Sequence, residues 1–378
     1  MNKAVKMTLG LILVGSAVFA QSLTDARKAI DAEQYQKGKA ILNSLTSAQP
    51  TNAENFFYLG NLYLTTSPIY IRPDYIDSAK TAFSKGIAAD DEYALNYVGL
   101  GAVDLARKAS PKANFDKALS LTKKKDHLTD LYIGRAYVNA PTPMVNEGLV
   151  HLEKAKSLND KDAQLYLVLG DAYRSLQKNG EAFSAYRSAF DLDKTFLRSK
   201  VELGKINKMS KAFPEANEEF NSVIALDANY APAYRELAET YYLWAWDSKK
   251  EYADRMQKAL QFYEKYMDLT DRSLDSRLRH ADFLFLAKDF KSLEREANEM
   301  AKLDKVNPRV LRYLAYSAFE NGNFASTAQA LKEFISKVEP TRIISQDYLY
   351  LGRAQMKDTT MLEEGMVNIA KAVELDST

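Results

Sequence analysis

The chain has 378 residues with 51 basic and 50 acidic side chains, and it contains no cysteine. This balance gives no broad electrostatic field for nucleic acid or an anionic membrane, and the lack of cysteine excludes disulfides, thiol catalysis and a cysteine-linked lipid anchor. Glycine and proline number only 15 and 10, and no Ser/Gly-rich linker divides the chain, so a mainly helical protein is indicated.

The first twenty residues, MNKAVKMTLGLILVGSAVFA, have the pattern of an export signal. Lys3 and Lys6 form a positive start, an apolar stretch follows, and small residues lead to an expected cleavage after Ala20. The apolar run that begins at Thr8 is shorter than the roughly 20 residues needed to span a bilayer. We therefore expect an exported mature chain, residues 21–378, without membrane insertion; the alternative is an uncleaved anchor.

Small residues then recur at one phase along the chain, at intervals of 33 to 43 residues. They are Gly60, Gly101, Gly134, Gly170, Gly204, Ala238, Ala281, Ala315 and Gly352. In several units a second small residue follows about twelve positions later, as Ala182 follows Gly170, and a large aromatic such as Tyr186 comes four residues after that. Most units end on an acidic segment such as DLDKTF or ALDANY. Such self-similarity indicates a repeat architecture.

The pattern resembles the tetratricopeptide repeat, which has a period of about 34 residues. Residues 163–196 carry it most fully, with Tyr166, Leu169, Gly170, Tyr173, Ala182 and Tyr186, while Lys194 replaces the closing proline. The resemblance covers essentially the whole mature chain and implies an all-α, right-handed superhelical solenoid of tandem helix-turn-helix units. We expect ten units, the first of them degenerate, at about residues 22–52, 53–93, 94–126, 127–162, 163–196, 197–230, 231–273, 274–307, 308–344 and 345–378.

Gly170 lies inside the otherwise helical stretch LYLVLGDAYRSL, where glycine costs about 1 kcal/mol relative to alanine. A helix-breaking glycine would interrupt the helical pattern with turn residues, and this stretch instead continues as an uninterrupted helical stripe. We interpret Gly170 as a contact point where two helix axes approach closely. The large aromatic is expected to fill the remaining space one repeat along.

No pattern in the chain indicates catalysis. The three histidines, His127, His151 and His280, fall at different repeat phases without metal-ligand spacing, and His280 is expected to pack in the core. A nucleophile elbow and a phosphate-binding loop are both missing from the sequence. We therefore expect a protein that is not an enzyme and that has no cofactor and no metal.

In tetratricopeptide repeats the first helix of each pair lines a concave groove, so the resemblance implies which side chains meet a partner. In this chain basic side chains predominate at the groove positions of units four to seven, and earlier units offer apolar ones. We expect a segment of another protein to bind there, through apolar contacts near the N-terminal end and through acidic groups or a carboxylate near the middle. The alternative is that the charges are merely solvated. The expected partner-binding residues are Phe57, Asn61, Arg135, Arg174, Arg198, Lys205, Lys208, Arg235 and Tyr242.

Inserts at the turns within repeats add aromatic side chains on one edge. Tyr70 lies in the second unit, and Trp244 and Trp246 lie in the seventh. These three could form an aromatic ledge for a partner, or they could lengthen the helices and pack on their own unit. We include Trp244 and Trp246 among the expected partner-binding residues.

The final predicted helix, EGMVNIAKAVELDST, leaves Met366, Ile369 and Val373 available, although solenoids usually end on a polar-faced helix. We expect this edge to be covered by self-association with a second copy, or by a longer native chain.

The sequence therefore predicts a non-catalytic protein–protein interaction scaffold or adaptor of the cell envelope, of an exported, periplasmic bacterial type. The alternative is a glycan- or peptidoglycan-binding module of the periplasm, for which the 23 tyrosines are the relevant feature.

Overall fold

A computed structural model describes residues 22–65, 73–247, 249–304 and 307–376, and the predicted export signal at residues 1–20 lies outside these ranges. Within them the chain forms twenty α-helices and no β-strand. None of these helices is long and apolar enough to cross a membrane. The all-α class predicted from the sequence is confirmed.

The helices follow one another as antiparallel pairs that stack into a right-handed superhelix. The first five pairs are Leu23–Asp31 (α1) with Tyr35–Ala48 (α2), Ala53–Thr65 (α3) with Pro73–Ala89 (α4), Ala94–Ala106 (α5) with Lys112–Leu121 (α6), Leu128–Val138 (α7) with Val145–Leu158 (α8), and Ala163–Ser175 (α9) with Asn179–Leu192 (α10). The last five pairs are Leu197–Met209 (α11) with Phe213–Leu226 (α12), Ala231–Asp247 (α13) with Tyr252–Leu269 (α14), Leu274–Leu286 (α15) with Phe290–Leu303 (α16), Pro308–Glu320 (α17) with Phe324–Lys337 (α18), and Ser345–Gln355 (α19) with Leu362–Asp376 (α20).

The fifth pair shows how local sequence signals build one unit. The Asp162 carboxylate caps α9 by accepting hydrogen bonds from the backbone N–H groups of Gln164 and Leu165, at 2.8 and 3.4 Å. The turn between α9 and α10 passes through Gln177, whose φ of +58° lies in the left-handed region where helices commonly end. The cap and the turn together fix where α9 begins and where the chain reverses.

Glycines mark the closest contacts between helices. A Cβ atom at Gly170 would collide with the ring of Tyr186, which confirms that this glycine is a contact point. The expectation that the aromatic fills space one repeat along is wrong at this position, because Tyr186 belongs to the second helix of the same pair. Phe83 fills space both within its own pair and in the next pair, since its ring lies against Gly60 and against Gly99.

The first pair of helices lies against the seventh pair, although the two are far apart in sequence. Asp31 accepts a hydrogen bond from the hydroxyl of Tyr230, 199 residues away, at 2.9 Å. Glu33 accepts one from Tyr266, 233 residues away, also at 2.9 Å. One turn of the superhelix is therefore closed by contact between its first and seventh pairs.

The outer face of α20 is apolar and exposed. Met366, Val367 and Val373 are 57%, 51% and 62% exposed, whereas Ile369 is half-buried against Gly352 of α19. That this face is covered by a second copy or by a longer chain stays a prediction.

Candidate partner-binding surface

The apolar end of the predicted groove is part of the core. Phe57 is only 1% exposed and packs edge-to-face on Tyr132, with ring centroids 4.9 Å apart. The amide of Asn61, half-buried in the next turn of α3, donates a hydrogen bond to the backbone carbonyl of Phe57 at 2.9 Å. The expectation that Phe57 offers an exposed contact to a partner is therefore wrong, because α3 turns this position towards its neighbouring helices.

The basic side chains at the middle of the groove are matched by acids on the same helix or on a neighbouring one. Lys205 lies 2.9 Å from Glu202, and Arg174 of the preceding pair binds the same carboxylate. Lys208 lies 2.6 Å from Glu236 of the following pair. The carboxylates of Glu202 and Glu236 are nearly fully buried. Together with the basic side chains they form a network of ion pairs that connects successive repeats.

Two further expected bases are paired in the same way. Arg198 lies 3.5 Å from the Asp171 carboxylate of the preceding pair. Arg235 contacts the adjacent Glu236 at 3.1 Å and also binds Glu33 of the first pair. Since each of these bases has an acidic partner, the excess of positive charge inferred from the groove positions alone is not an excess in the folded chain.

The network holds its buried carboxylates in the ionised form. Burial on its own raises the pKa of Glu236, but Arg235 and Lys208 outweigh it and lower that pKa to about 2. The pKa of Glu202 is lowered for the same reason, with Lys205 and Arg174 as the opposing charges.

This arrangement predicts an acid-sensitive contribution to stability. Because the folded-state pKa of Glu236 is about 2 and its ordinary value is 4.5, the carboxylate stabilises the folded state above pH 4.5, and this contribution is lost as the pH falls towards 2. We expect the Glu236→Gln variant to lose less free energy of unfolding than the wild type over that pH range. Urea denaturation at a series of pH values measures this, and parallel losses in both proteins would contradict it.

Arg135 differs from the other expected bases. It forms no ion pair within the part of the chain that the structure describes, and its guanidinium lies over the Tyr132 ring, 5.7 Å from the centroid. Burial lowers the pKa of Arg135, and the nearby positive charge of Arg198 lowers it further. Arg135 is therefore a half-buried cation that lies on an aromatic ring without a direct ion-pair partner among the described residues.

A pocket of about 530 Å³ is lined by residues of the first five pairs and of the turn before α11. Its aromatic walls are Tyr58, Tyr93, Tyr132 and Phe196, and its polar walls include Arg27 of α1, Glu54, Lys161 and Gln164. The hydroxyls of Tyr58 and Tyr132 lie 3.3 Å apart, and Tyr132 also donates to Gln164 at 3.4 Å. Below, these residues together are called the lumen pocket.

None of the residues predicted to bind a partner lines the lumen pocket. The groove positions carried over from the family lie along the first helix of each pair, whereas the pocket is built near the N-terminal ends of these helices and from the preceding turns. One sequence feature could have indicated the pocket. A tyrosine recurs two residues before the repeat glycine in two units, as Tyr58 before Gly60 and Tyr132 before Gly134.

The predicted aromatic ledge is only partly exposed. Trp244 stacks on Phe213 of the sixth pair, with centroids 5.9 Å apart, and the Arg255 guanidinium lies 4.3 Å from its ring. Trp246 is 59% exposed and packs edge-on against Tyr252 at 5.1 Å. The half-buried Tyr242 lies against Trp246, and Tyr70 is outside the described residues.

The histidines occupy structural positions in the described part of the chain. His127 and His151 contact Asp162 and Asp130, each at 2.8 Å, and His280 stacks on Tyr263 in the core. No group of three or more histidine, aspartate or glutamate side chains within the described ranges could hold a metal ion.

Comparison with known proteins finds no matching family model. Tetratricopeptide repeat protein 37 of Xenopus laevis is 25% identical over 260 residues, which is 67% of this chain but only 16% of the length of that relative. The crystal structure of yeast Tom70 superposes with a TM-score of 0.50 and 14% identity, covering 90% of this chain and 84% of Tom70. PilF of Pseudomonas aeruginosa superposes with a TM-score of 0.48 and 16% identity, covering 62% of this chain and all of PilF.

Proposed function

Because the chain is a solenoid of tetratricopeptide repeats, we propose that it is a non-catalytic scaffold of the cell envelope that binds an extended segment of another protein on its concave side. The fold supports a role in protein interaction in general, since stacked repeats create long concave surfaces that bind through many modest contacts. The export pattern with Lys3, Lys6 and a short apolar run supports the location in the envelope and, with it, the periplasm.

The observation that carries this proposal is the lumen pocket with Arg135 beside it. Helix pairs one to five and the turn before α11 contribute aromatic and polar side chains to the pocket, so a segment lying in it contacts five repeats at once. The Tyr132 ring joins the two features, because it lines the pocket and also lies under the Arg135 guanidinium. The bound segment supplies a carboxylate to Arg135, and its remaining side chains pack on the pocket aromatics.

Reversing the charge of Arg135 tests this function. Affinity-tagged wild-type protein and the Arg135→Glu variant are cross-linked in cells and purified, and the proteins recovered with each are quantified. We expect recovery of the specific partner to fall by about tenfold or more in the variant, because a charge-assisted hydrogen bond is replaced by repulsion. Arg135 is a cleaner target than Arg198 or Lys205, whose reversal would also break ion pairs within the scaffold.

Arg187→Glu is the matched control. Arg187 lies on α10 with a side chain 72% exposed, and its only ion pair in the described residues is a long one to Asp191, at 3.9 Å. This variant should recover the partner as the wild type does. Equal recovery with Arg135→Glu would mean that the segment does not bind at this site.

A glycan or peptidoglycan fragment is the second candidate ligand, favoured by the aromatic walls of the lumen pocket. Tyr58, Tyr93 and Tyr132 each combine a flat apolar ring with a hydroxyl, which suits the apolar faces and hydroxyl groups of sugars. Calorimetric titration with soluble cell-wall muropeptides distinguishes the candidates. Binding that is lost in Tyr93→Ala and retained in Arg135→Glu would favour the glycan.

A further inference from the structure

The contact between the first and seventh pairs is polar and concentrated in a few residues. Glu33, in the turn after α1, binds the Arg235 guanidinium and accepts a hydrogen bond from Tyr266 at 2.9 Å. Asp31 accepts one from Tyr230 at 2.9 Å. We call this set of contacts the clasp; its members are Asp31, Glu33, Gln34 and Gln36 on one side and Tyr230, Arg235, Tyr266, Leu269 and Asp271 on the other.

Two clasp contacts satisfy helix ends that lack partners of their own. No side chain of the first pair caps α2, and the Asp271 carboxylate instead accepts a hydrogen bond from the backbone N–H of Gln36 at 2.7 Å. In return, the Gln34 side chain donates to the carbonyl of Leu269, the last residue of α14, at 3.2 Å. A negative charge at a helix start is favourable, so the seventh pair supplies a cap that the first pair does not.

The acidic side chain of Glu33 is not required by the conformation of the turn in which it lies. Its φ is +60°, and equivalent turns in other pairs place non-acidic residues in the same left-handed conformation. Those residues are Lys108, Gln177, Lys211, Lys288 and Gly322. Among these six turns only the first carries an acid, and that acid faces Arg235. The turn tolerates lysine, so the carboxylate serves the long-range contact.

Closing the clasp places α1 over the lumen pocket. Arg27 of α1 lines the same pocket as Lys161, Asp193 and Phe196, which come from the turns before α9 and α11. With the first and seventh pairs in contact, the pocket lies within a superhelical turn that the clasp closes. A ligand that enters from the side between these two pairs would have to pass the clasp, whereas a ligand that enters along the superhelix axis would not.

We propose that the clasp restricts the lumen pocket to ligands that enter end-first, so that the partner is the free end of an extended chain and not a loop on a folded domain. This builds on the proposed function, because it names the kind of segment that the same pocket accepts. Opening the clasp removes the restriction by letting the first pair move away from the seventh.

A test that needs no partner measures access to the pocket by reagents of two sizes. Because the chain has no cysteine, Leu128→Cys places a unique thiol on the pocket wall, at a position 37% exposed. Alkylation rates are measured with N-ethylmaleimide and with a 5-kDa polyethylene glycol maleimide. With the clasp intact, we expect the large reagent to react more slowly than the small one by about tenfold or more, after correction for their rates with free cysteine.

Glu33→Lys in this background should raise the rate with the large reagent by about tenfold and leave the small-reagent rate nearly unchanged, because the reversed charge faces Arg235. Tyr266→Phe, which removes one hydroxyl, gives a smaller increase and serves if Glu33→Lys does not fold. Gln177→Lys is the control, since it introduces the same residue in an equivalent turn that has no distant partner among the described residues.

Two results would contradict the proposal that the clasp restricts access to the lumen pocket. One is equal corrected rates with the two reagents in the wild-type background, and the other is an unchanged large-reagent rate in both clasp variants. Neither result depends on partner recovery, so failure of the clasp and failure of the proposed function are separate outcomes.

Discussion

Asp347→Ala is expected to lower the free energy of unfolding by about 3–5 kcal/mol, because it leaves buried polar groups without their partner. The Asp347 carboxylate is fully buried and accepts two hydrogen bonds from Arg312, at 2.8 and 2.7 Å. It also accepts from the Tyr316 hydroxyl at 2.7 Å and from the backbone N–H of Ile344 at 2.9 Å. Four donors in two successive pairs therefore converge on one side chain.

Urea denaturation followed by circular dichroism measures the loss, and amide hydrogen exchange locates it in α17 and α19. The matched control is Asp191→Ala, which removes an exposed aspartate that contacts Lys194 on the surface. Exposed pairs contribute little, so the control should unfold at nearly the same urea concentration as the wild type. A similar, small effect in both variants would show that Asp347 does not hold the two pairs together.

Gly170→Ala is expected to lower the free energy of unfolding by about 1–2 kcal/mol. The added methyl group meets the Tyr186 ring, and overpacking a tight core costs about 1–3 kcal/mol. The ring cannot easily move away, because its hydroxyl donates a hydrogen bond to Asp171 at 2.8 Å. The better helix propensity of alanine offsets up to about 1 kcal/mol of this cost.

Gly180→Ala makes the same substitution in α10, where nothing lies within 4 Å of the added Cβ. With no collision, the propensity of alanine stabilises the protein by up to about 1 kcal/mol. The two variants should therefore change the urea midpoint in opposite directions. If Gly170→Ala also stabilised the protein, the glycine would have no role in the approach of the two helices.

The fold was accessible from sequence because repeats depend on local rules. The pattern of Gly170, Ala182 and Tyr186 recurs in other units, and Gly204 meets Phe220 within its pair as Gly170 meets Tyr186. The ring that covers Gly170 was placed in the wrong pair, because periodicity gives spacing but not which of two neighbouring helices supplies the contact.

The candidate site was less accessible because it depends on partners distant in sequence. Glu202 and Glu236 lie one position outside the groove phase taken from the family, so their neutralisation of the basic row was missed. Phe57 occupies a groove position by phase but lies in the core. The contact of Glu33 with Arg235 depends on how far the superhelix curves over seven pairs, which no single repeat encodes.

The contact between the first and seventh pairs also makes the first and last described pairs of the array unequal. In an open row of repeats the outermost units fray first, since each is held by one neighbour only. Here α1 and α2 have a second point of attachment, whereas α19 and α20 have none beyond the ninth pair in the described residues. Thermal unravelling should accordingly start from the C-terminal side and proceed inward, with slow amide exchange persisting around Ala26 and Leu42 after it has been lost around Leu351 and Ala372.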